Sequence, residues 1–214
     1  AMKSIVRRDT AEDWKAYLRR LAAEAGIEDP TDENLRRFDK GRKDKKVSNK
    51  DWVSPNDTDA RIMQMKDGRT HLAHKAEHAI DVDSGLLLAA TIHHGDQADG
   101  ESLKETLIAA QANLIMAGSQ AEVREVVADK GYHKAETLAW CREFSLRTYI
   151  PERKDRRKRR WIDKPAAWRD ACYANRRRVT GRRGKRLQRL RSERVERSFA
   201  HTCETGGARR SLPG

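Results

Sequence analysis

The sequence predicts an α/β fold followed by a basic helical region. Apolar segments of strand length alternate with segments of helical periodicity in the order β-β-α-β-α-β. Leu, Ile, Val and Phe account for only 36 of the 214 residues, which predicts a small core. The positive charge is concentrated in one late segment of the chain. Together these observations favour one ordinary domain with a basic appendage.

The first fifty residues are predicted to be a helical segment ahead of the core. Between residues 10 and 24 the apolar residues recur at helical spacing, with Thr10 and Asp13 in capping-box positions. A second short helix opens at residues 29–31, and residues 40–50 are almost wholly polar, which is typical of a loop. No catalytic pattern occurs in this segment.

Residues 51–150 are predicted to form the α/β core. Two β-tolerant runs on either side of a turn signal predict a hairpin over residues 71–93. Asp99 is predicted to cap the next helix. The apolar runs 123–128 and 146–150, separated by another helix, predict buried parallel strands. Ligands of such sheets gather at the carboxyl ends of the strands.

Composition excludes several protein classes. No apolar stretch approaches 18 residues and the first twenty residues carry many charges, which excludes a membrane span and a signal peptide. The three cysteines are far apart, so neither a disulfide framework nor a zinc site is supported, and the thiols are expected to be buried or idle. Glycine-rich phosphate loops and G-x-S-x-G elbows are absent from the sequence. The chain is therefore expected to be a soluble intracellular protein.

The segment from residue 151 to residue 197 is strongly basic, with 20 Lys or Arg against 6 Asp or Glu. Solvated helix faces normally mix both signs, whereas this segment contains unbroken arginine runs. A polyanion, most simply nucleic acid, is the favoured partner. Trp161, Trp168 and Tyr173 lie between the runs, where they either stack on bases or belong to the core.

Two carboxylates are candidate catalytic residues. Asp129 follows the apolar run 126–128 and precedes Gly131, at the point where an open sheet presents a catalytic or metal-binding group. A turn or capping aspartate is the alternative. Glu196 lies on a predicted helix, where an i,i+4 ion pair is the simpler interpretation. The residues alone leave both alternatives open.

Several ordered motifs resemble the DDE-type insertion-sequence transposases. VADKGY at 127–132 resembles the family's second-aspartate motif, and ERVERSF at 193–199 resembles its glutamate motif. THLAHKAE at 70–77, followed by Asp81, also matches. TCETGGARR at 202–210 resembles the group named after insertion sequence eleven-eighty-two, within the superfamily of insertion sequences four and five. The resemblance covers nearly the whole chain.

The resemblance implies a ribonuclease-H-like fold in which three carboxylates hold two Mg²⁺ (or Mn²⁺) ions for DNA cleavage and strand transfer. It makes Asp129 and Glu196 catalytic metal ligands, and oxygen ligands suit such hard cations. Double-stranded DNA, both transposon ends and target, would be held through its phosphates. The implied protein is cytoplasmic and nucleoid-associated, has no membrane contact and is compatible with a homodimer. The residues expected to bind DNA are Lys130, Arg156, Arg157, Arg159, Arg160, Arg176, Arg177, Arg178, Arg182 and Arg183.

Residues 1–50 would then be a helical insertion, residues 51–150 the ribonuclease-H-like core and residues 151–214 the basic helical region with the glutamate motif. The family's first aspartate is expected on an opening strand before residue 1, because residues 1–6 resemble the segment just downstream of it. The far end is also shorter than in the family.

The chain is therefore expected to be a fragment that lacks one carboxylate, leaves a strand edge exposed and does not catalyse strand transfer. Asp57, Asp59 and Asp81 are available but poorly placed substitutes. The alternative function is a non-catalytic, basic DNA-binding module derived from a transposase.

Overall fold

The computed structural model describes residues 5–43, 45, 47–64, 68–153 and 160–205. The helices are α1 Trp14–Glu24, α2 Asp32–Gly41, α3 Asp99–Met116, α4 Ala135–Glu143, α5 Ala166–Thr180 and α6 Arg182–Glu204. The strands are β1 Val6–Arg7, β2 Trp52–Val53, β3 Arg61–Gln64, β4 Thr70–Ile80, β5 Leu87–His94, β6 Glu125–Val127 and β7 Arg147–Tyr149. The chain divides into two compact units, Ala1–Lys75 with His93–Asp96 and Ala76–Ile92 with Gln97–Gly214.

The first unit contains the two helices predicted before the core. The Asp13 side chain accepts a hydrogen bond from the Ala16 amide at 2.7 Å, so Asp13 is the N-cap of α1 and the helix begins at Trp14. The predicted capping box that starts at Thr10 is therefore wrong. Thr31 caps α2 in the same way, which confirms that start. β1 and β2 pair antiparallel in this unit.

The predicted hairpin is confirmed as β4 and β5. Asp81 accepts hydrogen bonds from the Ser84 amide and hydroxyl, and Gly85 has a φ of +78°, which a residue without a Cβ adopts without strain. β3 was not predicted, and it pairs antiparallel only with Thr70–Ala73 at the start of β4.

The second unit holds the predicted parallel pair. β6 and β7 run parallel, with Val126 opposite Thr148. Residues of α3, α4, α5 and β6, together with Ile150 directly after β7, form its core, in which Leu138, Cys141 and Ile150 are at most 1% exposed. Asp99 is not the cap of α3, because Ala98 occupies that position. Asp99 lies in the first turn instead, where a negative charge suits the positive end of the helix dipole.

The predicted α/β character is confirmed, and in the part of the chain that the structure describes the strands are divided among separate sheets. The strands form three small sheets, with the orders β1-β2, β3-β4-β5 and β6-β7. Within the second unit the hairpin and the parallel pair are connected through side chains of α3 and α6 instead of a backbone ladder. Asn113 of α3, for example, donates to the Leu88 carbonyl at 2.8 Å, while Gln111 accepts from the Val123 amide at 2.8 Å.

Candidate active site and nucleic-acid interface

Asp129 stands at the carboxyl end of β6, immediately after the buried residue Ala128. Its side chain is exposed, and Oδ1 accepts a hydrogen bond from the Lys130 amide at 2.6 Å, which starts one turn of 3₁₀ helix over Lys130–Tyr132. This is the capping geometry that the sequence left open as an alternative. The same geometry also presents the carboxylate to solvent at the end of a buried parallel strand, so the two interpretations of Asp129 are compatible.

Glu77 is a buried carboxylate near Asp129 that was not predicted as a site residue. It is 4% exposed and accepts hydrogen bonds from the hydroxyls of Ser102 and Thr106 on α3, the latter at 2.8 Å. Burial, together with the negative charges of Glu77, Asp99 and Asp129, raises the pKa of Tyr132 above its ordinary value. Negative charge is therefore concentrated around the 3₁₀ turn that follows Asp129. The available signal was an acidic residue in the middle of β4, a strand that contains no other carboxylate.

Glu196 lies on the second half of α6, and its side chain is exposed. The amide of Gln188 fixes the first half of this helix by donating to the carbonyl oxygens of Ala128, at 3.1 Å, and of Tyr149. Glu196 comes eight residues later, about 12 Å along the helix axis. Glu193, rather than Glu196, makes the i,i+4 ion pair with Arg197, at 2.9 Å.

The next turn of α6 attaches to β4. The Nδ1 atom of His78 lies 2.9 Å from the Ser198 hydroxyl, and the His78 and Phe199 rings stack with a centroid separation of 4.1 Å. Burial lowers the pKa of His78. These contacts fix the turn of helix that directly follows Glu196.

No cluster of three or more His, Cys, Asp and Glu side chains suited to a metal ion occurs among the described residues. Asp129 borders a cleft in the second unit, whereas Glu196 is not among the residues that line it. The suggested substitute carboxylates are engaged locally: Asp57 pairs with His74 at 2.9 Å, and Asp81 holds the hairpin turn. His74 holds the pKa of Asp57 below its ordinary value.

The predicted DNA-binding arginines have different surroundings. Arg156, Arg157 and Arg159 lie outside the described residues. Arg176 makes two hydrogen bonds with Glu152, at 2.9 and 2.8 Å, and Arg183 pairs with Glu125. Arg178 turns inward and donates to the Thr148 carbonyl and hydroxyl at 3.0 and 3.1 Å. The cations that remain exposed without an ion pair in the described structure are Lys130, Arg160, Arg177 and Arg182.

Three further cations of α6 were missed. Lys185, Arg186 and Arg189 are exposed and lie on the face of α6 that also carries Arg182, because residues three, four and seven apart share a helix face. The spacing in the sequence was sufficient to find them. Cations in the first turn of a helix oppose its dipole, so a bound anion would stabilise this end of α6.

The corner between α5 and α6 brings their arginines together. Gly181 is the single residue between the helices. A Cβ on Gly184 would lie 2.2 Å from the Arg178 carbonyl oxygen, so only glycine permits this close approach. The end of α5 and the start of α6 therefore present their cations from one tight corner.

Two of the three cysteines lie in the core of the second unit, and one aromatic residue of the basic segment packs against it. Cys141 and Cys172 are buried, as predicted, whereas Cys203 is partly exposed. Trp161 packs against the core of the second unit, with its ring 6.1 Å from that of Tyr173. Among the described helices, none combines the length and the apolar character needed to cross a membrane.

The comparison with known protein families supports the resemblance to DDE-type transposases. The sequence matches the model of the Transposase DDE domain family over residues 16–213, a span that contains both Asp129 and Glu196. No curated protein and no solved structure matches it. Because the match spans most of the chain, this protein belongs to the Transposase DDE domain family.

Proposed function

We propose that the chain is the catalytic part of an insertion-sequence transposase with a ribonuclease-H-like fold, which cleaves transposon ends and joins them to target DNA. Asp129 and Glu196 are the proposed catalytic carboxylates. The family match over residues 16–213 is the observation that carries the proposal. The exposed position of Asp129 at the carboxyl end of a buried parallel strand supports it, since ligands of α/β sheets bind there.

Mg²⁺ or Mn²⁺ is the proposed cofactor. Asp129 and Glu196 offer the oxygen ligands that these ions prefer. Two carboxylates do not by themselves build a two-ion site, and the described residues contain no larger cluster of metal-binding side chains. The residues present therefore fit only part of such a centre.

The third carboxylate is proposed to lie on a strand that precedes residue 1 in an intact transposase. Asp57 and Asp81 are poor replacements because an ion pair and a turn, respectively, already engage them. Without the third carboxylate, neither the attacking oxygen nor the developing charge is held firmly, so the 214-residue chain is expected not to catalyse strand transfer.

Double-stranded DNA is the proposed partner, and its phosphates would contact the exposed cations at the α5–α6 corner. Such a protein would work in the cytoplasm, at the nucleoid. Electrostatic contacts of this kind are mostly blind to sequence, so they position the DNA rather than select it.

Nicking and joining of labelled DNA ends test the proposal. The assay compares the 214-residue chain, the same chain extended by its upstream coding sequence, and the extended chain with Asp129→Ala, each with Mg²⁺ or Mn²⁺. We expect metal-dependent activity only in the extended chain with Asp129 intact. Activity in the 214-residue chain that disappears with Asp129→Ala would show that another of its own carboxylates completes the site.

A non-catalytic DNA-binding module is the second candidate. It is favoured by one observation, the exposed cationic face of α6. This candidate predicts metal-independent DNA binding and no nicking, even after the upstream extension.

A further inference from the structure

The turn that carries Asp129 is short and has few hydrogen bonds of its own. Oδ1 of Asp129 accepts from the Lys130 amide at 2.6 Å, and the Asp129 carbonyl oxygen accepts from the Tyr132 amide at 3.1 Å. Hydrogen bonds in a 3₁₀ turn have poorer geometry than those of an α-helix. Asp129 and Lys130 are both exposed, so packing does not fix either side chain. The direction of the Asp129 carboxylate therefore depends on the contacts that the rest of the turn makes.

Tyr132 connects this turn to the interior of the second unit. Its ring packs against the core cluster of that unit, and its side chain is hydrogen-bonded to Glu77 of β4. The amide of Tyr132 closes the turn, so a movement of the Tyr132 side chain would be transmitted to the backbone of Asp129. The Glu77–Tyr132 hydrogen bond therefore links β4 to the candidate catalytic aspartate.

Glu77 is itself held in one orientation. The Ser102 hydroxyl donates to Oε1 of Glu77, and the Thr106 hydroxyl donates to Oε2 at 2.8 Å. Ser102 and Thr106 are also buried, and the Thr106 hydroxyl lies 2.8 Å from that of Thr91 on β5. A carboxylate only accepts hydrogen bonds, and a donor at each oxygen fixes its plane. Glu77 therefore presents a stationary acceptor to Tyr132.

The first turn of α3 packs directly on the backbone of the Asp129 turn. A Cβ on Gly131 would collide with Oδ2 of Asp99, so the carboxylate occupies the space that a side chain would need. A Cβ on Gly100 would lie 2.9 Å from the Cβ of Lys134, just beyond the turn. The contact between α3 and the turn is therefore close at two points, which leaves the turn little room to shift.

We propose that Glu77 is a positioning residue, which holds the turn from Lys130 to Tyr132 through the Tyr132 hydroxyl and so aims the Asp129 carboxylate. Glu77 is 4% exposed and acts through Tyr132 without touching DNA. This inference rests on the proposed function, because the aim of the carboxylate matters only if Asp129 is catalytic. A shift of about 1 Å in a catalytic group can lower a rate by about a hundredfold.

The alternative is that Glu77 only stabilises the contact between β4 and α3. Both roles predict a less stable protein when Glu77 is removed, so stability does not separate them. Tyr132→Phe does separate them, because it removes one oxygen atom, keeps the packed ring and leaves the bonds from Ser102 and Thr106 to Glu77 in place.

Tyr149→Phe is the matched control. Tyr149 is also 4% exposed, and its hydroxyl donates to a carboxylate, that of Glu125, at 2.9 Å. It belongs to β7, the strand beside β6, and makes no part of the Asp129 turn. The control therefore removes a comparable tyrosine–glutamate hydrogen bond at a site without a candidate catalytic residue.

Hydrogen exchange of the 214-residue chain measures how firmly the turn is held. In Tyr132→Phe the amides of Lys130, Tyr132 and His133 should exchange at least about tenfold faster, because opening the turn no longer breaks a buried hydrogen bond. The amides of α3 and α4 should keep their wild-type rates. Tyr149→Phe should leave the exchange of the turn unchanged.

Glu77→Ala places the effect on Glu77. This variant should accelerate exchange of the same amides, and adding Tyr132→Phe should change little further, since both substitutions remove the same hydrogen bond. Circular dichroism checks that each variant is folded. If Glu77→Ala does not fold, the comparison of Tyr132→Phe with Tyr149→Phe decides.

The chain extended by its upstream coding sequence tests the effect on the reaction. Tyr132→Phe should raise the Mg²⁺ concentration for half-maximal nicking by about tenfold or more, as is typical when the partner of a metal-binding carboxylate is removed. The affinity for duplex DNA without metal should stay unchanged. Tyr149→Phe should change neither quantity.

The two measurements distinguish failure of the inference from failure of the proposed function. Unchanged exchange of the turn in Tyr132→Phe overturns the inference whatever the activity, and so does acceleration that is uniform across α3 and α4. Faster exchange of the turn with an unchanged Mg²⁺ dependence also overturns it when Asp129→Ala abolishes nicking. Nicking that survives Asp129→Ala refutes the proposed function, and the exchange rates then decide whether Glu77 holds the turn.

Discussion

At the residue scale, two neighbouring arginines at the end of α5 have opposite roles. Arg178 donates two hydrogen bonds to Thr148, a residue 1% exposed, and burial lowers the pKa of its guanidinium. Arg177 is exposed and makes no ion pair in the described part of the chain. The run Arg176–Arg178 looks uniform in the sequence, but only the structure shows which member stabilises the fold and which faces solvent.

Substitution of these two arginines should separate stability from DNA binding. Arg178→Ala should lower the free energy of unfolding by about 1–2 kcal/mol, because the buried oxygens of Thr148 lose their donors. Arg177→Ala should leave unfolding unchanged and weaken binding to duplex DNA. Urea unfolding and fluorescence anisotropy measure the two effects. The assignment fails if Arg177→Ala is the less stable variant.

The thiols should differ in reactivity because of burial. Burial raises the pKa of Cys141 to about 11, and the thiolate is the reactive form. At about pH 8, iodoacetamide should therefore label the partly exposed Cys203 and spare Cys141 and Cys172 in the folded protein.

The raised pKa of Cys141 also makes the free energy of unfolding depend on pH. The unfolded Cys141 thiol ionises near its ordinary pKa of 9.0, whereas the folded thiol stays neutral up to about 11, so its contribution to stability falls as the pH rises between these values.

Mass spectrometry of the iodoacetamide-labelled peptides, with Cys203→Ser as the control, measures the reactivity of the thiols. Fast labelling of Cys141 without unfolding would contradict the burial.

At the element scale, α6 combines three functions along its length. Its first turns carry an exposed cationic face, its middle holds the carboxyl ends of β6 and β7 through Gln188, and its second half carries Glu196. The His78–Phe199 stack then fixes the following turn to β4. Displacement of this helix would therefore disturb both the candidate DNA surface and the candidate catalytic glutamate.

The cationic face of α6 should set the salt dependence of DNA binding. Simultaneous replacement of Arg182, Lys185 and Arg189 by Ala should reduce the slope of log K against log salt concentration by about 2.7, because each phosphate contact contributes about 0.9. The control replaces Arg19, Arg36 and Lys40, three exposed cations of the first unit, and changes the net charge equally. Equal slopes for the two triple variants would show that α6 is only a solvated face.

At the scale of the whole molecule, local patterns predicted the elements better than their assembly. Helical periodicity located α1, α2, α3 and α4, and the apolar runs located the parallel pair of β6 and β7. Strands β1, β2 and β3 were missed because they span only two to four residues, too few for a periodicity to appear. Strand pairing depends on distant residues, which is why the sequence did not predict how the strands of the described residues are divided among three sheets.

The candidate site was predictable only in part for the same reason. A strand-end position and two motifs singled out Asp129 and Glu196. The burial of Glu77 beneath α3 and the inward direction of Arg178 depend on contacts between elements far apart in sequence. Composition predicted a basic surface, but burial decided which arginines remain available to a phosphate.

The most direct test of the central claim uses two glutamates of α6 in the chain extended by its upstream coding sequence. Glu193 and Glu196 are both exposed, but only Glu193 makes the ion pair with Arg197. If Glu196 is a catalytic carboxylate, Glu196→Ala should lower Mg²⁺-dependent DNA nicking by at least about a hundredfold while DNA binding is retained. Glu193→Ala should leave nicking nearly unchanged. Equal activities of the two variants, or loss of nicking with Glu193→Ala alone, would contradict the account.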